Sequence, residues 1–216
     1  MKTLSIFFLL QAWFSFMNPS FIVDNKYAEA MAKNIQTVYS SQSISELQSA
    51  VNSFERIGAT EKIKWEPYYY AGFGYIMLAN VEQSASKKDL YLDQALKAIE
   101  AAKKIKAKDV EITALEGFVH MIRLSVDPAS RGQQYSSLAM QNFSQALSID
   151  SENPRALALM AQMEYGTAQF FGSSTKEACA TNESALQKFT TFKSDNPFAP
   201  QWGKAMAEKM KLQCKD

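Results

Sequence analysis

An all-α solenoid of about four stacked helical hairpins, closed by a short C-terminal helix, is the fold class this sequence predicts, and three observations predict it. Ala95, Ile99, Ala102 and Ile105 place small and branched apolar residues on one helical stripe, and Ala139, Phe143, Ala146 and Ile149 repeat it 44 residues later. Ala50, Phe54 and Ile57 precede it by 45, and Ala178, Asn182 and Ala185 follow as a weaker copy. A second series runs through the preceding helices: Ala28, Gly72, Gly117 and Ala161 are spaced 44, 45 and 44 apart. Finally, no segment carries the apolar/polar alternation of a strand. Two interleaved series of nearly one period describe hairpins that cannot bury their apolar faces alone and must stack.

The first residues are set apart. Lys2 precedes an apolar run from Leu4 to Phe16, too short for a comfortable membrane span and suited to the core of a secretory signal. Residues 1–20 are therefore read as a signal peptide or an uncleaved anchor, and 21–216 as one helical-repeat domain with no membrane span of its own.

Asp24 to Ser40 forms the first helix, with Tyr27, Met31, Ile35 and Val38 on one face. Ser43 and Glu46 form a capping box for its partner, which runs through Leu47, Ala50, Val51 and Phe54 to a stop at Gly58. Trp65 to Glu82 follows, and its Tyr68, Tyr69, Tyr70, Phe73 and Tyr75 are too many for one face, so this helix is contacted on two sides. The next helix opens near Ser86, carries the organising stripe and ends in the lysine-rich turn Lys103 to Lys108, where cations complement the helix dipole. Asp109 caps a helix that Asp127-Pro128 ends. Ser130 with Gln133 opens the helix that ends near Ile149, and Asn153-Pro154 opens another that reaches about Ala168. Ser174 with Glu177 opens the eighth, and Pro197 or Pro200 leads into a last one from Trp202 to Leu212.

These residues resemble the tetratricopeptide repeat. Tyr68, Ala71, Gly72 and Tyr75 match the first half of that family's pattern, and Ala95, Ile99 and Ala102, or Ala139, Phe143 and Ala146, match the second. No hairpin has the family's closing proline, and the period is about ten longer than the usual ~34. The added residues are assigned to loops inside the hairpins, Val81 to Lys88, Asp127 to Tyr135 and Phe170 to Ser174. Beyond residue 24 the chain also looks like exported tetratricopeptide-repeat proteins of Gram-negative bacteria, including the stretches from Asp127 to Tyr135 and from Gln169 to Gly172. The resemblance implies a right-handed superhelix and a periplasmic or secreted location, and it implies no established activity.

With 23 basic and 22 acidic side chains interspersed, no stripe of one sign exists to follow a phosphate backbone, which argues against nucleic acid. Cys179 and Cys214 are too far apart for a redox pair of the C-x-x-C kind; in an oxidising compartment they pair, and otherwise they are half-buried thiols. His120, the lone histidine, has Glu116 one turn before it but too few companions for a metal, so it reads as a packed histidine. No phosphate loop, nucleophile motif or ligand cluster is present, so neither catalysis nor a cofactor is expected.

Two candidate surfaces remain. Arg131, Gln133 and Tyr135, with Phe170 and Phe171, lie on two long loops expected side by side on one edge of the stack. On the concave face, the resemblance implies Tyr69, Phe73, Phe118, Arg155, Gln162 and Tyr165, with Glu66 and Met77, as a surface for an extended segment or helix of a partner. The leading expectation is a non-enzymatic scaffold, monomeric or weakly self-associating, that holds a protein or peptide in the cell envelope. The second is a small-ligand receptor or enzyme with a pocket under the loops around Arg131, Tyr135 and Phe171. A third is a structural role in which the Trp202 helix covers the end of the stack or docks on another copy.

Overall fold

The computed structural model describes residues 19–214, so the reading of residues 1–20 as a signal peptide or anchor lies, all but Pro19 and Ser20, outside the described residues. Four hairpins follow one another: α1 (Pro19–Ser40) with α2 (Ile44–Thr60), α3 (Glu66–Val81) with α4 (Ala85–Ile105), α5 (Val110–Val126) with α6 (Pro128–Ile149), and α7 (Pro154–Phe171) with α8 (Lys176–Thr191). A short α9 (Lys204–Gln213) packs back on α7 and α8. Among the described residues there is no strand. The first helices lie against one another in an inner layer, α1 on α3, α3 on α5 and α5 on α7, and α2, α4, α6 and α8 form the outer layer.

The predicted stripes are the seams of the stack. Ala95, Ile99 and Ala102 are buried, as are Ala139, Phe143 and Ala146, and small side chains at these sites let helix axes approach closely. A Cβ on Gly72 would stand 3.1 Å from Ile99, and one on Gly117 only 2.4 Å from the Phe143 ring, so the small-residue series marks where the inner helices meet the outer ones. Ile149, expected to end its stripe in the core, is instead 41 % exposed, as the last residue of α6. Asn182 stands where the other stripes carry Phe or Ile, and its amide donates to the Ala207 carbonyl of α9 at 2.9 Å. The fourth stripe is weaker because it holds the cap.

Several boundaries differ from the sequence reading, each for a local reason. The long loops inside the hairpins are mostly helix: residues 82–84 alone join α3 to α4, and Asp127 alone separates α5 from α6. Asp127 accepts from Ser130 N–H, and Pro128 follows it at a position where a missing N–H costs nothing. The longer period is thus spent on second helices of 21 and 22 residues. Phe170 and Phe171 are likewise the last turn of α7, closed by Gly172 in the left-handed region at φ 64°. Gly58 does not stop α2; it is buried inside the helix, where a Cβ would meet the Tyr68 ring at 2.8 Å. Of the expected caps, Asp109 and Asn153 each accept two backbone N–H groups, and Ser43 accepts from Glu46 N–H, although Glu46 itself turns to Ser41. Ser174 lies one residue outside α8's N-cap. The last helix does not begin at Trp202: Gly203, at φ 104°, precedes α9, and residues 192–203 form a non-helical strap.

Candidate functional site

The strap carries Pro197 and Pro200, which supply no N–H and push their preceding residues out of helical geometry, so it stays non-helical, with a turn at 196–199. It leaves α8, crosses the inner layer to α1 and returns to α9. Phe192 lies over the Arg155 guanidinium of α7 at 4.3 Å. Asn196 donates from its side chain to Glu66 of α3 at 3.1 Å and braces the turn by accepting from Phe198 N–H. Phe198 meets the Tyr27 ring of α1 edge-on, and its carbonyl accepts from the Tyr70 hydroxyl at 2.9 Å. On the way back Gln201 donates its N–H to the Tyr39 hydroxyl at 3.1 Å. Trp202 then slides between two rings, stacked on Phe73 of α3 at 5.2 Å and on Phe118 of α5 at 5.5 Å, and donates its indole N–H to Tyr69 at 3.0 Å.

The groove under the strap has a polar floor. Arg155, 1 % exposed, donates to both oxygens of the buried Glu111, at 2.6 and 2.5 Å, and the Asn153 amide adds a third bond at 2.6 Å. Burial opposes the charge on Arg155, but the hydrogen bonds and charge of Glu111 prevail and hold its pKa above the ordinary value. Removing one partner of such a pair strands the other and costs about 3–5 kcal/mol, so the floor is fixed. Burial pushes the Tyr69 and Tyr70 hydroxyls up, well above the ordinary phenol, with the neighbouring Glu111 and Tyr39 adding to the effect. They remain donors at any physiological pH.

The strap is held by many small contacts, with Ala199, Pro200 and Gly203 buried. Its four side-chain-mediated bonds to the inner helices contribute about 0.5–1.5 kcal/mol each. Each ring pair adds about 0.5–1.5 kcal/mol beyond area burial. Lys193, Ser194, Asp195, Pro197 and Gln201 are exposed, and Trp202 and Phe198 are only half-buried. Both ends are anchored: Cys179 of α8 is bonded to Cys214 at the end of α9, which settles the open question of the cysteines in favour of a bridge.

The residues singled out from sequence fall in three places. Tyr69, Phe73, Phe118 and Arg155 come together under the strap, and Glu66 joins them at its edge. Gln162 and Tyr165 face instead an open cleft of about 380 Å³ between α7 and α9, with Met206 and Met210 opposite. Arg131, Gln133 and Tyr135 lie in the first turns of α6. The Arg131 fork is taken by Asp89 of α4 in two bonds of 2.7 and 2.8 Å, which hold that carboxylate below its usual range. Tyr135 stacks on His120 and Gln133 is exposed. Phe170 and Phe171, at 81 and 74 % exposure, meet each other edge-on. Between α6, α7 and α8 near this edge is an open groove of about 430 Å³ whose lining includes Ser136, Ser137, Ser173, Ser174 and Thr167. Among the described residues no three His, Cys, Asp or Glu side chains converge as metal ligands.

Sequence reasoning missed Tyr39, Tyr70, Glu111, Asn153, Phe192, Phe198 and Trp202 as groove residues. One signal for the strap was present: a stretch with two prolines and aromatics at Phe192 and Phe198 that no helix pattern claims, running into Trp202.

No protein-family model matches the chain, and no curated protein does. Solved structures similar to it include a haemophore and a tetratricopeptide-repeat protein. The HusA haemophore from Porphyromonas gingivalis is 27% identical, with a TM-score of 0.77 over 88% of this chain and 92% of that one. A thermophilic tetratricopeptide-repeat protein from Thermus thermophilus is 14% identical, with a TM-score of 0.56 over 90% of this chain and 95% of that one. The chain thus has a helical-repeat fold of the tetratricopeptide kind.

Proposed function

We propose that this protein is an exported, non-catalytic carrier that binds haem or a similar flat porphyrin in the groove of its inner layer. The observation that carries the reading is the likeness to a haemophore along nearly the full length of both chains. The groove chemistry fits such a cargo: ring faces on Phe73 and Phe118 for stacking, a guanidinium face on Arg155, and tyrosine hydroxyls that donate to acceptors at a ring's rim. The apolar run of residues 4–16 and the Cys179–Cys214 bridge both favour an oxidising compartment. No helix among the described residues is long and apolar enough to cross a membrane.

Adding haemin to the purified protein should give a saturable shift of its visible absorption band at one equivalent. Addition of Phe171→Ala, at the exposed edge, should leave that titration unchanged. A spectrum that never departs from free haemin would sink the reading.

One observation favours a second reading. The groove already holds a non-helical peptide segment through tyrosine hydroxyls and an aromatic slot, which is what a scaffold for a protein or peptide partner requires. Binding of a synthetic peptide with the sequence of residues 192–203, with no response to haemin, would select it.

A further inference from the structure

We propose that the strap is a built-in occupant of the ligand site: Trp202 fills the slot between Phe73 and Phe118 that receives the cargo's ring, and the strap leaves when the cargo enters. The proposal rests on the carrier reading and adds to it the place of the ring and the step that exposes it. Three features of the strap lead there. An indole lies flat between two phenyl rings, nearly parallel to both at 28° and 20°, so the slot has the thickness of one aromatic plane. Three tyrosine hydroxyls, of Tyr39, Tyr69 and Tyr70, are used by strap atoms, a carbonyl, a backbone N–H and the indole N–H. All three strap bonds are lost together if the strap lifts; Tyr39 and Tyr70 keep the 3.2 Å bond between their own hydroxyls, and the vacated positions then face a ligand with oxygen acceptors at its rim.

The third feature is mechanical. Both strap ends are fixed, by α8 at residue 191 and by α9 at residue 204, and the Cys179–Cys214 bridge with the Ala178, Ala161 and Met210 packing holds those helices together. The strap can therefore rise as a loop while α9 stays docked. Gly203 is the pivot: at φ 104° its missing side chain lets the Phe189 ring and the Arg155 stem close around the turn, 2.8 and 3.1 Å from where a Cβ would stand. Arg155 stays on Glu111 throughout, and only its outer face changes partner, from the Phe192 ring to the cargo.

Hydrogen exchange and haemin titration, on the wild-type chain, Trp202→Ala and Asn196→Ala, test this. Asn196→Ala loosens the strap turn without touching the slot. Haemin should speed exchange of the amides of residues 192–203 in the wild type; Trp202→Ala should bind about tenfold tighter or more, and Asn196→Ala several-fold tighter. Haemin binding with strap exchange unchanged and neither variant tighter would overturn the proposal and leave the carrier reading standing. If no version binds haemin, both fall. Should Trp202→Ala fail to fold, the exchange pattern and Asn196→Ala decide alone.

Discussion

A methyl group on Gly117 would lie 2.4 Å from one carbon of the Phe143 ring and 2.7 Å from the next, and 3.1 Å from Asn142 of the same outer helix. Gly117→Ala should therefore overpack the α5–α6 seam and cost about 1–3 kcal/mol. At Gly166, also helical, nothing stands within 4 Å of the added carbon, and Gly166→Ala should stabilise by about 0.4–1 kcal/mol. Opposite shifts in chemical-denaturation midpoint check the pair; equal shifts would mean that the seam yields. His120 adds a pH dependence at the same scale. Burial between α5 and α6 depresses its pKa below 6.5, with the Arg123 and Lys103 charges adding to the effect and Glu116 opposing it, while Tyr135 covers the ring. The unfolded chain then binds the proton more readily than the folded one as pH falls through about 6.5, so stability drops there. The contributions of Asp89 and Asp127, whose carboxyls are held low by Arg131 and Ser130, fade only at more acidic pH. Melting temperature should fall from pH 7 to pH 5, and His120→Phe should lose part of that fall; an identical slope in the variant would remove His120 as its source.

At the scale of elements, most of what was legible came from period and caps. The stripe Ala95, Ile99, Ala102 is readable because burial at one helical face demands the same residue sizes every time the seam recurs. Asp109 and Asn153 are readable because orphan N–H groups need an oxygen at one position only. The stretches Val81–Lys88 and Asp127–Tyr135 misled for a related reason. Their polar residues look like loops, but they lie on the solvent side of helix ends that a single cap such as Asp127 can start abruptly. The strap was the least legible element. Its contacts with α1 and α3 join residues more than a hundred positions apart, such as Tyr70 with Phe198 and Tyr69 with Trp202, and no local pattern encodes them.

Across the whole molecule, the same limit explains why the fold was readable and the site only partly so. A stack of hairpins is written in neighbour contacts, which the 44- and 45-residue spacings record. A groove that closes on its own C-terminal segment is written in contacts between the two ends of the stack. Tyr69, Phe73, Phe118 and Arg155 were placed by their position on inner helices, while their occupant was not. Fixing α9 to α8 also changes the covalent topology of the molecule. Cys179 and Cys214, 35 positions apart, make the strap part of a closed ring of main chain rather than a tail. A protease that cuts the exposed Lys193–Ser194 bond would leave a two-chain protein of undiminished mass, and the new ends would belong to a flap free at last to swing away. Brief trypsin treatment should yield one band without reductant and a released fragment beginning at Ser194 with it; release without reductant would show the ring to be open.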